Sequence, residues 1–399
     1  MNRASWWVRA AMLAFVAILV FGCARPIDLP IDLMNSDSPD SELAALADSD
    51  AARRLLANLL ARRSADARAP GAAASAHLTD LASSDPQLEG VTEPAARLPD
   101  QAFLKKLAGT TSMDFAALVF ARALTTDSRS RIAQATFDRF LQEGPDRSVA
   151  ALRQPGAFPY TVVFSPSWLY KSHPETGSDF ARQRRLLDKL GIRNRMAESG
   201  ESDSVEDNAA AIIRALRETG CDGGPVVLVS DSKSGAEAVK ALAGLMPEEA
   251  SCVVAWINIA GALRGTPLAD SGLRIPVKWI ARGIFWLSGW SWDGVESLET
   301  THSRQRLETL RLAETITVLN IVAVPVSGSV GYQVLWGYHV LTSHGPNDGV
   351  VLLADTVWPG GINIVGLGAD HLLGRWQDDA YILAMLRTLD ATIRNHGPK

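Results

Sequence analysis

From about Phe158 onward, apolar positions fall into short, mostly β-branched runs separated by stretches in which apolar residues recur every three or four positions. The runs are YTVVF, the weaker IRNRM, PVVLV, CVVAWINI, TITVLNIVAV and INIVGL. Continuous apolar runs of this length, bounded by turn residues, are typical of strands buried on both faces. Between them, DFARQRRLLDKL, VEDNAAAIIRALRETG, AEAVKALAGL and DDAYILAMLRTLDATIR each carry an apolar stripe and predict amphipathic helices. Strand and helix alternate, which predicts an α/β fold: a mostly parallel sheet with helices on both faces. Right-handed crossovers align the C-terminal ends of such strands along one edge, so a site is expected in the loops that follow them.

Upstream the pattern differs. Over residues 100–150, AFLKKLAG, FAALVFARAL and RIAQATFDRFLQ show helical spacing alone and predict a small helical subdomain packed on the 151–399 domain. Residues 24–99 are dominated by Ala, Arg, Asp, Ser and Pro. Within them SELAALADSDAARRLLANLLARR is one helical patch, and RSADARAPGAAASA offers no core, so the segment is expected to be a tether with a short helix. Residues 1–23 place Arg3 and Arg9 before AMLAFVAILVFG, a run too short to span a bilayer comfortably, and end in Gly22 and Cys23. This is built like an export signal.

VFGC resembles a bacterial lipobox, with Phe21 where a small residue is usual. The resemblance implies that Cys23 is acylated and becomes the mature N-terminus of an exported, membrane-held protein. Ala24, which is not Asp, implies the outer membrane. An uncleaved membrane anchor is the other reading of the segment.

Composition narrows the chemistry. The formal charge is −5 over 399 residues, and no basic run interleaved with aromatics provides a footprint for nucleic acid. The seven histidines include no H-E-x-x-H, the cysteines lack ligand spacing, and no phosphate-cradling glycine loop is present. Neither metal nor cofactor is expected. Cys221 and Cys252 each precede a predicted strand; they are a possible disulfide in an oxidising compartment, or buried free thiols.

In VVLVSDSKSGAEAVKAL an apolar strand runs through small residues directly into a helix, with Ser232 at the turn. The segment resembles the G-x-S-x-G nucleophile elbow of α/β-hydrolases, although Ser230 and Ser234 stand where glycines are usual. HGPNDGVVLLADTVW resembles the acid loop of bacterial triacylglycerol lipases and esterases, and INIVGLGADHLLG their histidine loop. Carried over by position, the resemblance implies an α/β-hydrolase with Ser232, Asp348 and His371 as nucleophile, acid and base, in the chain order that fold requires. Asp355 and Asp370 are the competing acids, and His339 and His344 the competing bases. INIAGALRGTPLAD resembles a further lipase segment, with Arg264 and Asp270 as framework residues. An oxyanion hole is expected from the amide of Lys233 and from the SPSWLY loop, through Ser167 or, failing that, Trp168.

The stretch at about 271–312 holds Trp279, Phe285, Trp286, Trp290 and Trp292 in close succession. At this place in such a fold an aromatic-rich insertion is expected to act as a lid, lining an acyl pocket or touching lipid; ordinary core packing is the other reading. The expected function is a cofactor-free serine carboxylic-ester hydrolase acting on apolar, lipid-like esters at a membrane surface. A catalytically silent lipoprotein of the same fold, and an acyltransferase using the same triad, are the alternatives.

Overall fold

The six runs become six strands: β1 (Thr161–Ser165), β2 (Asn194–Met196), β3 (Val226–Asp231), β4 (Val253–Ile259), β5 (Thr317–Val324) and β6 (Ile362–Leu367). They form one sheet, ordered β2-β1-β3-β4-β5-β6 and parallel throughout. The structure, a computed structural model, describes residues 39–69, 98–221, 224–374 and 378–396. The helices that follow are α1 (Pro39–Ala45), α2 (Asp50–Arg68), α3 (Gln101–Thr110), α4 (Met113–Leu124), α5 (Ser128–Glu143) and α6 (Pro145–Leu152) before the sheet begins. Among the strands lie α7 (Ala181–Leu190), α8 (Val205–Thr219), α9 (Lys233–Ala243), α10 (Pro267–Gly272), α11 (Val277–Ser288), α12 (Thr300–Thr309) and α13 (Tyr332–Leu341), and α14 (Asp379–His396) closes the chain. This is the parallel sheet with helices on both faces expected above.

Alternation along each strand divides its side chains between two faces. On one side Val162, Phe164, Val227, Val229, Ile257, Ile321 and Ile364 pack with Phe137 and Phe140 of α5, Leu187 of α7 and Leu383 of α14. On the other, Val163, Leu228, Trp256 and Val318 meet Ile212 of α8, Val239 and Leu242 of α9 and Leu307 of α12. With both faces covered, the strands are mostly continuous apolar runs, and any polar residue among them must be paired.

Three buried asparagines cross the sheet in register. Asn258 Nδ2 donates to Asn320 Oδ1 at 3.0 Å, and Asn320 Nδ2 to Asn363 Oδ1 at 3.0 Å. Buried amides are costly unless paired, so a slip of one strand would leave them unsatisfied and is disfavoured. The outer side of β6 is closed by side chains rather than by another strand. Ser130 Oγ accepts the N–H of Asn363 at 2.9 Å and Gln134 Oε1 that of Val365 at 2.7 Å, both from α5.

Where they are described, the helices of residues 39–69 and 98–152 both pack on this body, although the first was expected to lie in a tether. Leu55, Leu56 and Leu59 of α2 pack with Phe115 and Val119 of α4 and with Val326, just past β5. Two ion pairs hold α2 to α5: Arg63 Nε to Asp138 Oδ2 at 3.0 Å, and Arg131 Nε to Asp66 Oδ2 at 2.9 Å. Leu104, Phe120 and Leu124 of α3 and α4 share a core with Val322, Val324 and Val365 of the sheet. The leucine stripe therefore has a docking surface, and the helical patch is part of the fold rather than of a spacer. Leu56→Ala is accordingly expected to lower stability by about 2–5 kcal/mol in urea unfolding, the cost of a cavity at a fully buried leucine. A leucine on a tether would change nothing.

Cys221 and Cys252 are joined as a disulfide, their Cα atoms 5.2 Å apart. The expected export signal, with Cys23, and the stretch 70–97 lie outside the described residues. Among the described residues no helix is long and apolar enough to cross a membrane.

Candidate active site

Ser232 sits between the last residue of β3 and the first of α9, at φ 48° and ψ −123°. Only glycine adopts this backbone conformation freely, so the serine is held there at a cost of about 1–3 kcal/mol. The surroundings enforce it. Ser232 N–H donates to Ile259 O at 2.9 Å, while Ser232 O accepts from Gly235 and Ala262 at 3.0 and 2.8 Å. Gly235 is needed because a Cβ there would stand 2.8 Å from both Asn258 Oδ1 and Gly261 Cα.

The serines that replace the usual elbow glycines are both used. Ser230 Oγ accepts the indole N–H of buried Trp256 at 2.8 Å. Ser234 Oγ accepts the N–H of Asp231 at 2.9 Å and lies 2.8 Å from Ser165 O, to which it donates, tying the end of β1 to the corner. The substitution of serine for glycine thus adds hydrogen bonds at positions that still demand a small residue.

His371 follows β6 and Asp348 follows α13, and the two meet Ser232 across the C-terminal edge of the sheet. His371 Nε2 lies 2.8 Å from Ser232 Oγ, and Nδ1 2.8 Å from Asp348 Oδ2. Asp348 is fully buried, and its other oxygen accepts the amides of Val350 and Val351 at 2.9 and 2.8 Å. The N-D-G turn thereby aims one carboxylate oxygen at the imidazole, and His371 N–H donates back to Asp348 O at 2.9 Å. In this arrangement neutral His371 donates a hydrogen bond from Nδ1–H to the carboxylate and offers an Nε2 lone pair to the serine hydroxyl.

The competing residues are occupied elsewhere. Asp355 lies 3.3 Å from Arg304, Asp370 accepts the amides of Gly331 and Leu372 at 2.8 and 3.1 Å, and His339 is exposed on α13. His344 takes no part in the contacts to Ser232; its carbonyl accepts from Gln101. Arg264 donates to Ala354 O at 3.0 Å and Asp270 accepts from Thr300 at 2.9 and 2.7 Å, both bracing loops as framework residues do.

Burial disfavours the His371 imidazolium, but the charge and hydrogen bond of Asp348, followed by Asp231 and Asp370, outweigh it, so its pKa stands above the ordinary 6.5. Asp231, beside the nucleophile, is pushed up from 3.8 to about 7, chiefly by desolvation. The unfolded chain releases this proton near 3.8 and the folded chain only near 7, so folding stability falls as pH rises through that window. Asp231→Asn should therefore raise the thermal midpoint at about pH 8, the gain fading toward about pH 4. Because removal of a nearby negative charge lowers the pKa of His371, the same variant should move the rising limb of any His371-dependent activity to lower pH. A pH series of melting and rate curves measures both.

The donors expected for an oxyanion need one correction. The N–H of Lys233, first in α9, has no acceptor within its own helix. The N–H of Ser167, however, donates to Ser178 O at 3.1 Å, so that amide is already used to hold its loop. The Ser167 hydroxyl is buried and has no partner among the described residues, and the Trp168 amide is the next donor along the loop.

Sequence reasoning missed what lies beneath. The Lys233 side chain is buried and pairs with Glu237, which also accepts from Asn208 Nδ2 at 2.9 Å. Its Nζ stands 5.9 Å from the centre of the Trp168 ring. Burial raises the pKa of Glu237, and Lys233 opposes that rise. The signal was present as Lys and Glu four apart on one helix, a spacing that more often marks an exposed pair.

The five aromatics divide. Phe285, Trp290 and Trp292 cluster with Trp168, the ring of Phe285 lying 6.0, 5.6 and 4.9 Å from those of Trp168, Trp290 and Trp292. Trp279 and Trp286 are 65% and 78% exposed on the outer side of α11. The roles expected of the insertion were lining an acyl pocket or touching lipid, and these two rings face outward because α11 packs through its opposite face.

No family model matches the chain, and no curated protein matches it. Among solved structures it is similar to a metagenomic carboxyl esterase, at 18% identity and a TM-score of 0.49, over 59% of this chain and 76% of that one. It is also similar to a Bacillus licheniformis lipase in its mature form, at 21% identity and a TM-score of 0.46, over 61% of this chain and 94% of that one.

Proposed function

We propose that the protein is a serine carboxylic-ester hydrolase in which Ser232 attacks the ester carbonyl, His371 is the general base and then acid, and Asp348 orients the imidazole. The reading rests on one observation, the continuous contact of hydroxyl, imidazole and buried carboxylate at 2.8 Å each. A serine hydroxyl is a weak nucleophile at its own pKa, and a neutral imidazole at hydrogen-bond distance removes its proton as the bond to carbon forms. The tetrahedral oxyanion would be met by the Lys233 amide and by Trp168 N–H or Ser167 Oγ. Collapse expels the alcohol, protonated by His371, and leaves an acyl-serine. Water, activated by the same imidazole, then releases the acid.

The substrates proposed are apolar esters, in keeping with the aromatic cluster of Trp168, Phe285, Trp290 and Trp292. Export and attachment to the outer membrane through Cys23 are proposed from the charge, apolar run and small-residue boundary of the first 23 residues. A fluorophosphonate probe tests the chemistry. It should add once, at Ser232, and a peptide map with no adduct there would leave only a binding protein of this fold.

A further inference from the structure

α11 turns an apolar side to the outside. Trp279 is 65% exposed, Ile280 47%, Trp286 78% and Leu287 51%, with Ile275 just before the helix at 75%. At the helical repeat, Trp279, Ile280, Gly283, Trp286 and Leu287 share one arc, and nothing lies within 4 Å of where a side chain on Gly283 would begin. The opposite side holds the helix to the body through Ile284, 7% exposed, and through Phe285 against Trp168. Arg274 and Arg282 are exposed beside the arc. Lys278 and Arg282 share one carboxylate, Glu296, at 3.1 and 3.9 Å, so the patch is bordered by net positive charge.

We infer that this face is a lipid-contact surface, with α11 lying in the headgroup plane of an anionic bilayer and Trp279 and Trp286 reaching the acyl boundary. An exposed apolar patch rimmed by charged residues is the kind of surface that marks a membrane or protein contact. Tryptophan and arginine together suit an anionic lipid interface. The acyl anchor proposed at Cys23 lies 16 residues before Pro39, where the described body begins, so the tether that would hold this body to a membrane is short. A second copy is the poorer occupant, because two-fold packing of this face would bring Arg274 and Arg282 of both chains together. The inference deepens the ester-hydrolase reading and rests on it in one respect: the helix that meets lipid packs on Trp168, whose ring lies 5.9 Å from Nζ of Lys233, the residue after Ser232, so the ester would be membrane-borne.

Hydrogen exchange on the full chain carrying Ser232→Ala, with and without vesicles of phosphatidylcholine and phosphatidylglycerol, tests the surface without drawing on catalysis. Amides of residues 278–289 should exchange at least about tenfold more slowly on the vesicles, and Trp279→Ser with Trp286→Ser should return them to within about twofold of the vesicle-free rate. An unchanged thermal midpoint, expected because both side chains are exposed, shows that the double variant is folded. Vesicles that leave these amides unprotected overturn the inference. So does protection without vesicles that appears together with a doubled molecular mass, which would assign the face to a second copy. Failure of the fluorophosphonate label on the parent chain would instead remove the hydrolase reading and leave the lipid surface standing.

Discussion

Ser232→Ala should lower kcat for an activated ester by about 10⁶-fold, leaving a residual rate about 10³-fold above water from binding and the oxyanion donors alone. His371→Ala should cost nearly as much, and the double variant little more than either, since the two act as one unit. Stopped-flow kinetics on a chromogenic ester reads this, with the parent showing a burst of product and the variants none. Additive losses would mean that hydroxyl and imidazole do not share a step. A companion measurement uses the backbone. At φ 48° a glycine is free of the strain that serine bears, so Ser232→Gly should be inactive yet more stable by about 1 kcal/mol. The same corner would then limit stability in return for an exposed hydroxyl.

Asp348→Asn should lower kcat by about 10⁴-fold with little change in KM. The amide preserves shape, but its NH₂ group cannot accept the Nδ1 proton of His371, so the ring adopts the tautomer that presents a proton, not a lone pair, to Ser232. Asp370→Asn is the matched control. Its side-chain carbonyl can keep one of the two amides that Asp370 accepts, from Gly331 or Leu372, and because it touches neither Ser232 nor the ring nitrogens of His371 the expected loss is within about tenfold. If instead Asp370→Asn were the crippling change, Asp348 would not be the orienting acid.

How far the sequence carries can be judged residue by residue. The sheet was legible because strands covered on both faces are dominated by β-branched and other apolar residues, as VVAWINI is apart from its one asparagine. Ser232, Asp348 and His371 were named through the resemblance of three short segments to an elbow, an acid loop and a histidine loop; strand ends gathering along one edge accounts for Ser232 and His371, whereas Asp348 comes after α13. What pairs across long separations was not. Nothing in SELAALADSDAARRLLANLLARR indicates that Arg63 will find Asp138 or that Leu56 will find the α4 surface, so a docked helix read as part of a tether. The outward turn of Trp279 and Trp286 was hidden for a related reason: periodicity gives an amphipathic helix, but a helix with apolar residues on both sides does not declare which side faces the body. The commitment of the Ser167 amide to Ser178 O is a backbone detail with no side-chain signature. The buried Lys233 and Glu237 were missed because burial of an ion pair depends on neighbours such as Asn208 that come from another helix.

The closing of β6 by Ser130 and Gln134 has a bearing on how such a molecule survives crowding. Bare strand rims invite a neighbour to zip on and seed insoluble stacks. With hydroxyl and carboxamide already seated on it, the β6 rim offers no such template at Asn363 and Val365.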